Sequence, residues 1–242
     1  MKILGIDISS NSTGLGLIED DKLLEYAKIN PTGTMSSSAK MYLFSVELDK
    51  LISKFSPEFI GIEDVIQVSS VTVTKILARF NGIAIISAYR YNKKEPRLFI
   101  PSEWKKLIGL TGTVRKCETQ LFVCQKYKLL SDDKIKQYSE KIKENFENKN
   151  DQLIITNKKN LDLLKKKKKK EKDEAIIQTI DKEITTIKEE ILRLNKDSKK
   201  QTNKIFDEIS MEIYVDTSIN EDIADAVGIA NAYQKVINEQ KI

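Results

Sequence analysis

The sequence predicts an α/β protein: five short strands in one sheet, helices packed against it, and a long helical segment inserted late in the chain. Three observations predict it. In residues 2–19 an apolar run (Ile3, Leu4, Gly5, Ile6) ends in a lone carboxylate, Asp7, and a Ser/Asn/Thr/Gly turn leads into a second run, Leu15 to Ile18; this is a β-hairpin. Up to residue 130, short apolar runs alternate with apolar residues at helical spacing. Between residues 131 and 204 the composition changes to Lys, Glu, Asn and Ile, without proline or glycine.

After the hairpin, residues 22–29 form a third strand, closed by Asn30-Pro31. Met41, Phe44, Leu48, Leu51 and Phe55 then share a helix face until Pro57 stops it. Phe59, Ile60, Gly61 and Ile62 make a fourth strand that ends in Glu63-Asp64, repeating the strand-then-acid pattern of Asp7. Residues 68–89 are helical by their apolar spacing around Gly82, residues 97–100 are a fifth strand, and Pro101-Ser102-Glu103 opens a helix through Ile108. A Gly/Thr loop with Arg115 and Lys116 precedes a helix over residues 118–130.

Inside the lysine-rich segment Ile177, Ile180, Ile184, Ile187, Ile191 and Leu194 alternate spacings of three and four, the seam of a coiled coil. Ile135, Tyr138 and Ile142 begin a weaker seam on the other side of the lysines 165–170. The segment reads as a helical hairpin with those six lysines at its turn, either a solvated tract or a contact surface for phosphates. Residues 211–215 read as strand again, and residues 220–230 as a closing helix. Two regions are therefore expected: residues 1–130 with 205–242 as the globular domain, and residues 131–204 as its insertion.

Composition narrows the chemistry. With 242 residues, 40% of them hydrophobic, the chain can bury a core. Its 41 Lys and Arg against 36 Asp and Glu give a net charge of +5, set largely in lysine runs, which suits a polyanionic partner. The absence of histidine excludes Ser-His and Cys-His catalysis and most zinc sites, and leaves carboxylates to do any metal work. Cys117 and Cys124 make no metal spacing and read as reduced thiols. The opening residues enter a strand without an apolar signal core, and no run approaches about 18 apolar residues. A soluble intracellular protein with no membrane partner is expected.

Asp7 carries the functional argument. A carboxylate among apolar neighbours is costly unless it is paired or holds a cation, and a metal explains it where Val would serve a strand better. Glu63, Asp222 and Asp225 are the other candidate ligands; the last two, three apart, project from one helix face. Hard oxygen ligands suit Mg²⁺ or Mn²⁺. Two such ions, roughly 4 Å apart, activate a water on one side of a phosphodiester and stabilise the leaving oxygen on the other. Taken singly, Asp222 also fits as a helix cap, Asp225 as a solvated helix face and Glu63 as a loop start.

In this pattern the sequence resembles the RuvC family of Holliday junction resolvases, within the ribonuclease H-like and retroviral-integrase superfamily. The resemblance rests on Asp7 in the first strand, Glu63 ending the fourth, and Asp222 with Asp225-Ala226 on the last helix, supported by the ILARFNG stretch up to Gly82 and by Trp104-Lys105-Lys106 through Gly112 to Arg115-Lys116. It covers about residues 1–130 and 211–233. It implies a ribonuclease H-like mixed five-stranded sheet and Mg²⁺-dependent cleavage of branched DNA, the four-way junction above all. Asp7, Glu63, Asp222 and Asp225 would hold two ions per site, with Mn²⁺ able to substitute, while Lys105, Arg115 and Lys116 contact phosphates. A homodimer is implied, at work in the cytoplasm of a bacterium or of a phage- or virus-infected host cell. One departure is Ile66, at a position where members often place an aromatic wedge.

Two other classes remain open. The opening G-I-D-x-S-x-x-S-T-G also resembles the first phosphate loop of actin and sugar-kinase-like ATPases, although no second D-x-G-x-T loop follows. A junction-binding or assembly factor working through the coiled coil, with a weakened catalytic core, is the third.

Overall fold

Alternation along the first strand, β1 (Lys2–Asp7), decides which helices lie on which face of the sheet. Leu4 and Ile6 enter an apolar cluster with Phe44, Leu48 and Ile52 of α1 (Ser37–Phe55) and Phe80, Ala84 and Ala88 of α2 (Val71–Asn92). Ile3 joins the opposite cluster, with Ile223, Ala224, Val227 and Ala230 of the last helix, α8 (Glu221–Glu239). The computed structural model describes all residues except 32–33, 67–69, 112–113, 147–148, 172–173 and 241–242. Val68 and Gly112 of the expected elements lie outside the described residues.

The strand order is β3-β2-β1-β4-β5. β2 (Thr13–Glu19) pairs antiparallel with both β1 and β3 (Lys22–Ile29), while β4 (Phe59–Glu63) runs parallel to β1 and β5 (Arg97–Phe99) parallel to β4. This is the mixed five-stranded, ribonuclease H-like sheet expected from the sequence. On the α8 face sit the short helix α3 (Pro101–Leu107), whose Trp104 packs with Phe99, Ile229 and Ala232, and α4 (Lys116–Lys126), whose Val123 joins the α8 cluster.

Missing side chains bring α8 down onto the strands. A Cβ built on Gly5 would stand 1.9 Å from the Ala226 carbonyl oxygen, and one on Gly14 would stand 2.0 Å from that of Asp222. Only glycine permits so close a backbone approach. On the other face, α2 has the length and composition of a membrane-crossing helix, but Phe80, Ala84 and Ala88 commit one side of it to the core. On its outward side Val71, Ile86 and Tyr89 are exposed, with the exposed Lys75 and Arg79 between them.

The chain divides into two compact units, Met1–Ile135 with Ser210–Ile242, and Lys136–Ile209. Among the described residues of 132–217 the helices are α5 (Asp132–Phe146), α6 (Lys149–Lys168) and α7 (Glu174–Thr217). Lys165 to Lys168 form the last turn of α6, and Lys168 Nζ is 2.5 Å from Asp181 Oδ1 on α7. Along α7 Ile180, Ile184 and Leu194 are buried, at the spacing of the expected seam.

The strand expected at residues 211–215 is not formed; those residues belong to α7. Phe206, Ile209 and Ile213 are buried at helical spacing, while Met211 and Val215 face solvent, so the period of the longer segment overrides the short β-branched run. Ser218, with φ 60°, ends the helix. The helix expected over residues 118–130 runs instead from Lys116 to Lys126.

Candidate active site

Strand register accounts for the first two acids. β1 and β4 pair in parallel, Ile3 with Phe59 and Gly5 with Gly61. Side chains alternate, so Asp7 and Glu63 close neighbouring strands on the face that α8 covers. Asp7 also stands opposite Gly14 in the hairpin, and the bare Gly14 lets the Asp222 backbone close in. Asn220 caps α8, its Oδ1 accepting from Ile223 N at 2.9 Å. Asp222 is therefore not the cap, and its carboxylate is available for other work.

The electrostatics join the four. Loss of hydration raises the Asp7 pKa well above the ordinary value, and Glu63, Asp225 and Asp222 raise it further, with Lys105 opposing them. Burial pushes Glu63 up to about 7 against the hydrogen bond from Trp104. Asp225 is pushed up to about 6, again by burial, while Lys105 and Thr119 hold it down. Although Thr119 lies near enough for that effect, neither Thr119 Oγ1 nor Asp225 Oδ1 makes a hydrogen bond of ordinary geometry, and both atoms are buried.

Two of the acids, Glu63 and Asp222, are meanwhile held by other neighbours. Trp104 Nε1 donates to Glu63 Oε2 at 2.8 Å, and Asn81 Nδ2 donates to the Glu63 carbonyl at 2.9 Å. Ser12 Oγ donates to Asp222 Oδ2, which also lies 3.6 Å from Lys28 Nζ. Among the described residues, no three His, Cys, Asp or Glu side chains already stand as a metal-ligand cluster. The donor set still fits a hard cation: it is all oxygen, and one buried oxygen, Asp225 Oδ1, has no partner.

The three basic residues have different surroundings. Lys105 is half-buried and acts on Asp7, Glu63 and Asp225, with its Nζ 5.0 Å from the centre of the Trp104 ring. Lys116 is paired with Glu221, which raises its pKa. Arg115 precedes α4, its N–H donated to Glu118 Oε2 at 2.5 Å. The Ser210 hydroxyl lies 2.9 Å from Glu221 Oε1 and 2.6 Å from Oε1 of the fully buried Gln120, with one proton to serve the two. Sequence reasoning assigned no role to Ser12, Lys28, Asn81, Thr119 or Glu221, and none of its own to Trp104. Glu221, beside Asp222, and Asn81, in the ILARFNG stretch, were the ones with a local signal.

Residues 3–142 match the family profile described as crossover junction endodeoxyribonuclease RuvC. Among curated proteins, the crossover junction endodeoxyribonuclease RuvC of Alkaliphilus oremlandii is 30% identical over 125 residues, covering 50% of this chain and 74% of that protein. That of Orientia tsutsugamushi strain Boryong is 33% identical over 129 residues, covering 51% and 79%. The Fusobacterium nucleatum protein is 28% identical over 116 residues, covering 46% and 60%. Among solved structures, Thermus thermophilus RuvC in complex with Holliday junction substrate aligns with a TM-score of 0.46 at 16% identity, over 52% of this chain and 78% of that one. The matched span holds Asp7 and Glu63 and stops short of Asp222 and Asp225, which reach the site through the fold. With more than half of its residues matched, the chain belongs to the RuvC family of crossover junction endodeoxyribonucleases.

Proposed function

We propose that this protein is a metal-dependent endonuclease that resolves Holliday junctions and related branched DNA by symmetric phosphodiester hydrolysis, in recombination and repair. Its family membership supports the enzyme class. The observation that carries the site is Asp7, whose ionisation is opposed at once by Glu63, Asp225 and Asp222. Such crowding is unfavourable in an empty site and useful in one that takes cations.

Asp7, Glu63, Asp222 and Asp225 would hold the ions, Mg²⁺ in the first place and two per site. Bound divalent cations supply an activated water and stabilise the leaving oxygen. The chain's own residues do the rest. Gly14 keeps Asp222 close to Asp7, Trp104 and Asn81 hold Glu63, and Lys105 lowers the cost of gathering four negative charges. Lys105, Arg115 and Lys116 would bind backbone phosphates, Lys116 by exchanging Glu221 for a phosphate oxygen. The exposed Val71, Ile86 and Tyr89 of α2 are compatible with a homodimer, in which two sites meet two symmetry-related strands. We take residues 131–204 as an insertion into the nuclease domain. A DNA substrate of this kind is consistent with work in the cytoplasm of a bacterium or of a phage- or virus-infected host.

Cleavage of a labelled four-way junction, beside linear duplex and flap controls, with Mg²⁺ or with chelator, tests the proposal. Paired symmetric nicks that need the metal are expected. Binding without cutting, in Mg²⁺ or Mn²⁺, would favour the junction-binding factor; ATP binding with neither would favour the ATPase.

A further inference from the structure

Trp104 is the chain's sole tryptophan, and its side chain is fully buried. Filling space does not require an indole there; phenylalanine fills nearly as much. The indole adds an N–H, and that N–H is spent on Glu63 Oε2 at 2.8 Å. Its ring is also used: Lys105 Nζ lies 5.0 Å from the ring centre, within cation–π range. One side chain thus touches an acid of the site by its edge and the site's half-buried lysine by its face.

The seat of the ring is as specific as its contacts. Phe99, Ile229 and Ala232 pack around it. A Cβ on Gly228 would come within 2.6 Å of Trp104 Cζ3. Gly228 lies three residues after Asp225 on α8, so the helix that carries two of the acids also carries the gap that admits the indole.

We propose that Trp104 is a positioning residue for the metal centre, fixing the Glu63 carboxylate through Oε2 and supporting Lys105 across its ring, with Gly228 keeping the slot open. This rests on the metal reading given above. One Glu63 oxygen is committed to the indole and the other is left to a cation, so the carboxylate arrives oriented instead of being recruited by the ion. Partners that orient a ligand in this way typically change metal affinity or activity by about ten- to a hundredfold.

The test uses the full chain with its tryptophan labelled with ¹⁵N, which gives a single indole N–H signal, titrated with Mg²⁺ alone while calorimetry follows ion binding. The indole signal is expected to move in step with ion binding. Trp104→Phe, which keeps an aromatic ring in the slot, is expected to bind Mg²⁺ about tenfold more weakly, and to lower kcat on the junction more than it changes KM. An indole signal that stays still while calorimetry records binding overturns the positioning role and leaves the metal reading intact; so does a folded Trp104→Phe with unchanged Mg²⁺ affinity. No Mg²⁺ binding at all overturns the metal reading and this inference with it. If Trp104→Phe does not fold, the indole titration of the unaltered protein decides.

Discussion

Under α8 the sheet carries Gly5, Gly14 and Gly16, whereas residues 136–209 contain no glycine at all. In the first region main chain meets main chain: Gly5 faces the Ala226 carbonyl and Gly14 that of Asp222. In the second, burial comes from separate side chains along helices, Ile180, Ile184 and Leu194 among them, with charged residues between. Precision therefore resides in the first. Backbone contact between residues distant in sequence fixes where α8 lies on the strands, while the helices of residues 136–209 draw on local periodicity.

Four variants and one titration put that contrast at risk. The largest effect is expected from Asp7→Asn: cleavage falls at least a thousandfold, about 4 kcal/mol of transition-state stabilisation, while junction binding holds. The metal-free variant is also expected to melt above the parent at neutral pH, because a carboxyl whose ionisation is opposed by burial and by three acids is gone. Cleavage and calorimetry on one preparation check both. A fully active Asp7→Asn would sink the two-metal site. Next is Gly5→Ala, whose new methyl has no room beside Ala226. Overpacking of this severity costs about 3 kcal/mol or more, read from the urea midpoint.

Titration comes third. Glu63 is raised from 4.5 to about 7 and Asp225 from 3.8 to about 6. Groups with raised folded values favour folding when protonated. Their contribution is complete below their unfolded values and disappears as pH rises through about 6 and about 7. The metal-free protein should lose melting temperature across that window, and Mg²⁺ should restore it near pH 8 but not near pH 5. A melting temperature flat in pH and indifferent to Mg²⁺ would remove these acids from a cation site.

The lysine-rich helices supply the smaller effects. Ile180→Ala should cost about 2–3 kcal/mol, seen as faster amide exchange in residues 136–209, with junction cleavage unchanged. Replacing Lys166, Lys167, Lys169 and Lys170 by Gln should alter stability by less than about 0.5 kcal/mol. The salt dependence of junction binding then discriminates: a shallower slope marks these lysines as phosphate contacts.

The strands and Asp7 were legible because a short apolar run bounded by turn residues is strand-like, and a single acid closing it has no use in a core. Glu63 repeated the pattern, and Asp222 and Asp225 followed from helical spacing. What joins them was not legible. Trp104 reaches Glu63 across 41 positions and Ser12 reaches Asp222 across 210, distances over which no local pattern extends. The misread strand at residues 211–215 has a different cause: five residues are too few to set a period, and the deciding positions, Phe206 and Ile209, lie upstream. Cys117 and Cys124, which read as reduced thiols, both lie on α4, and burial lifts them to about 12 and about 11, which keeps them unreactive.

The outward side of α2 also bears on mass action. If Val71, Ile86 and Tyr89 are covered by a second copy, the abundance of the protein sets the kind of lesion it leaves. Dilute copies would carry one site each and open one strand, a nick that ligation seals. Concentrated copies would open both strands within the lifetime of one complex, so a cell would govern the outcome by how much of the chain it makes.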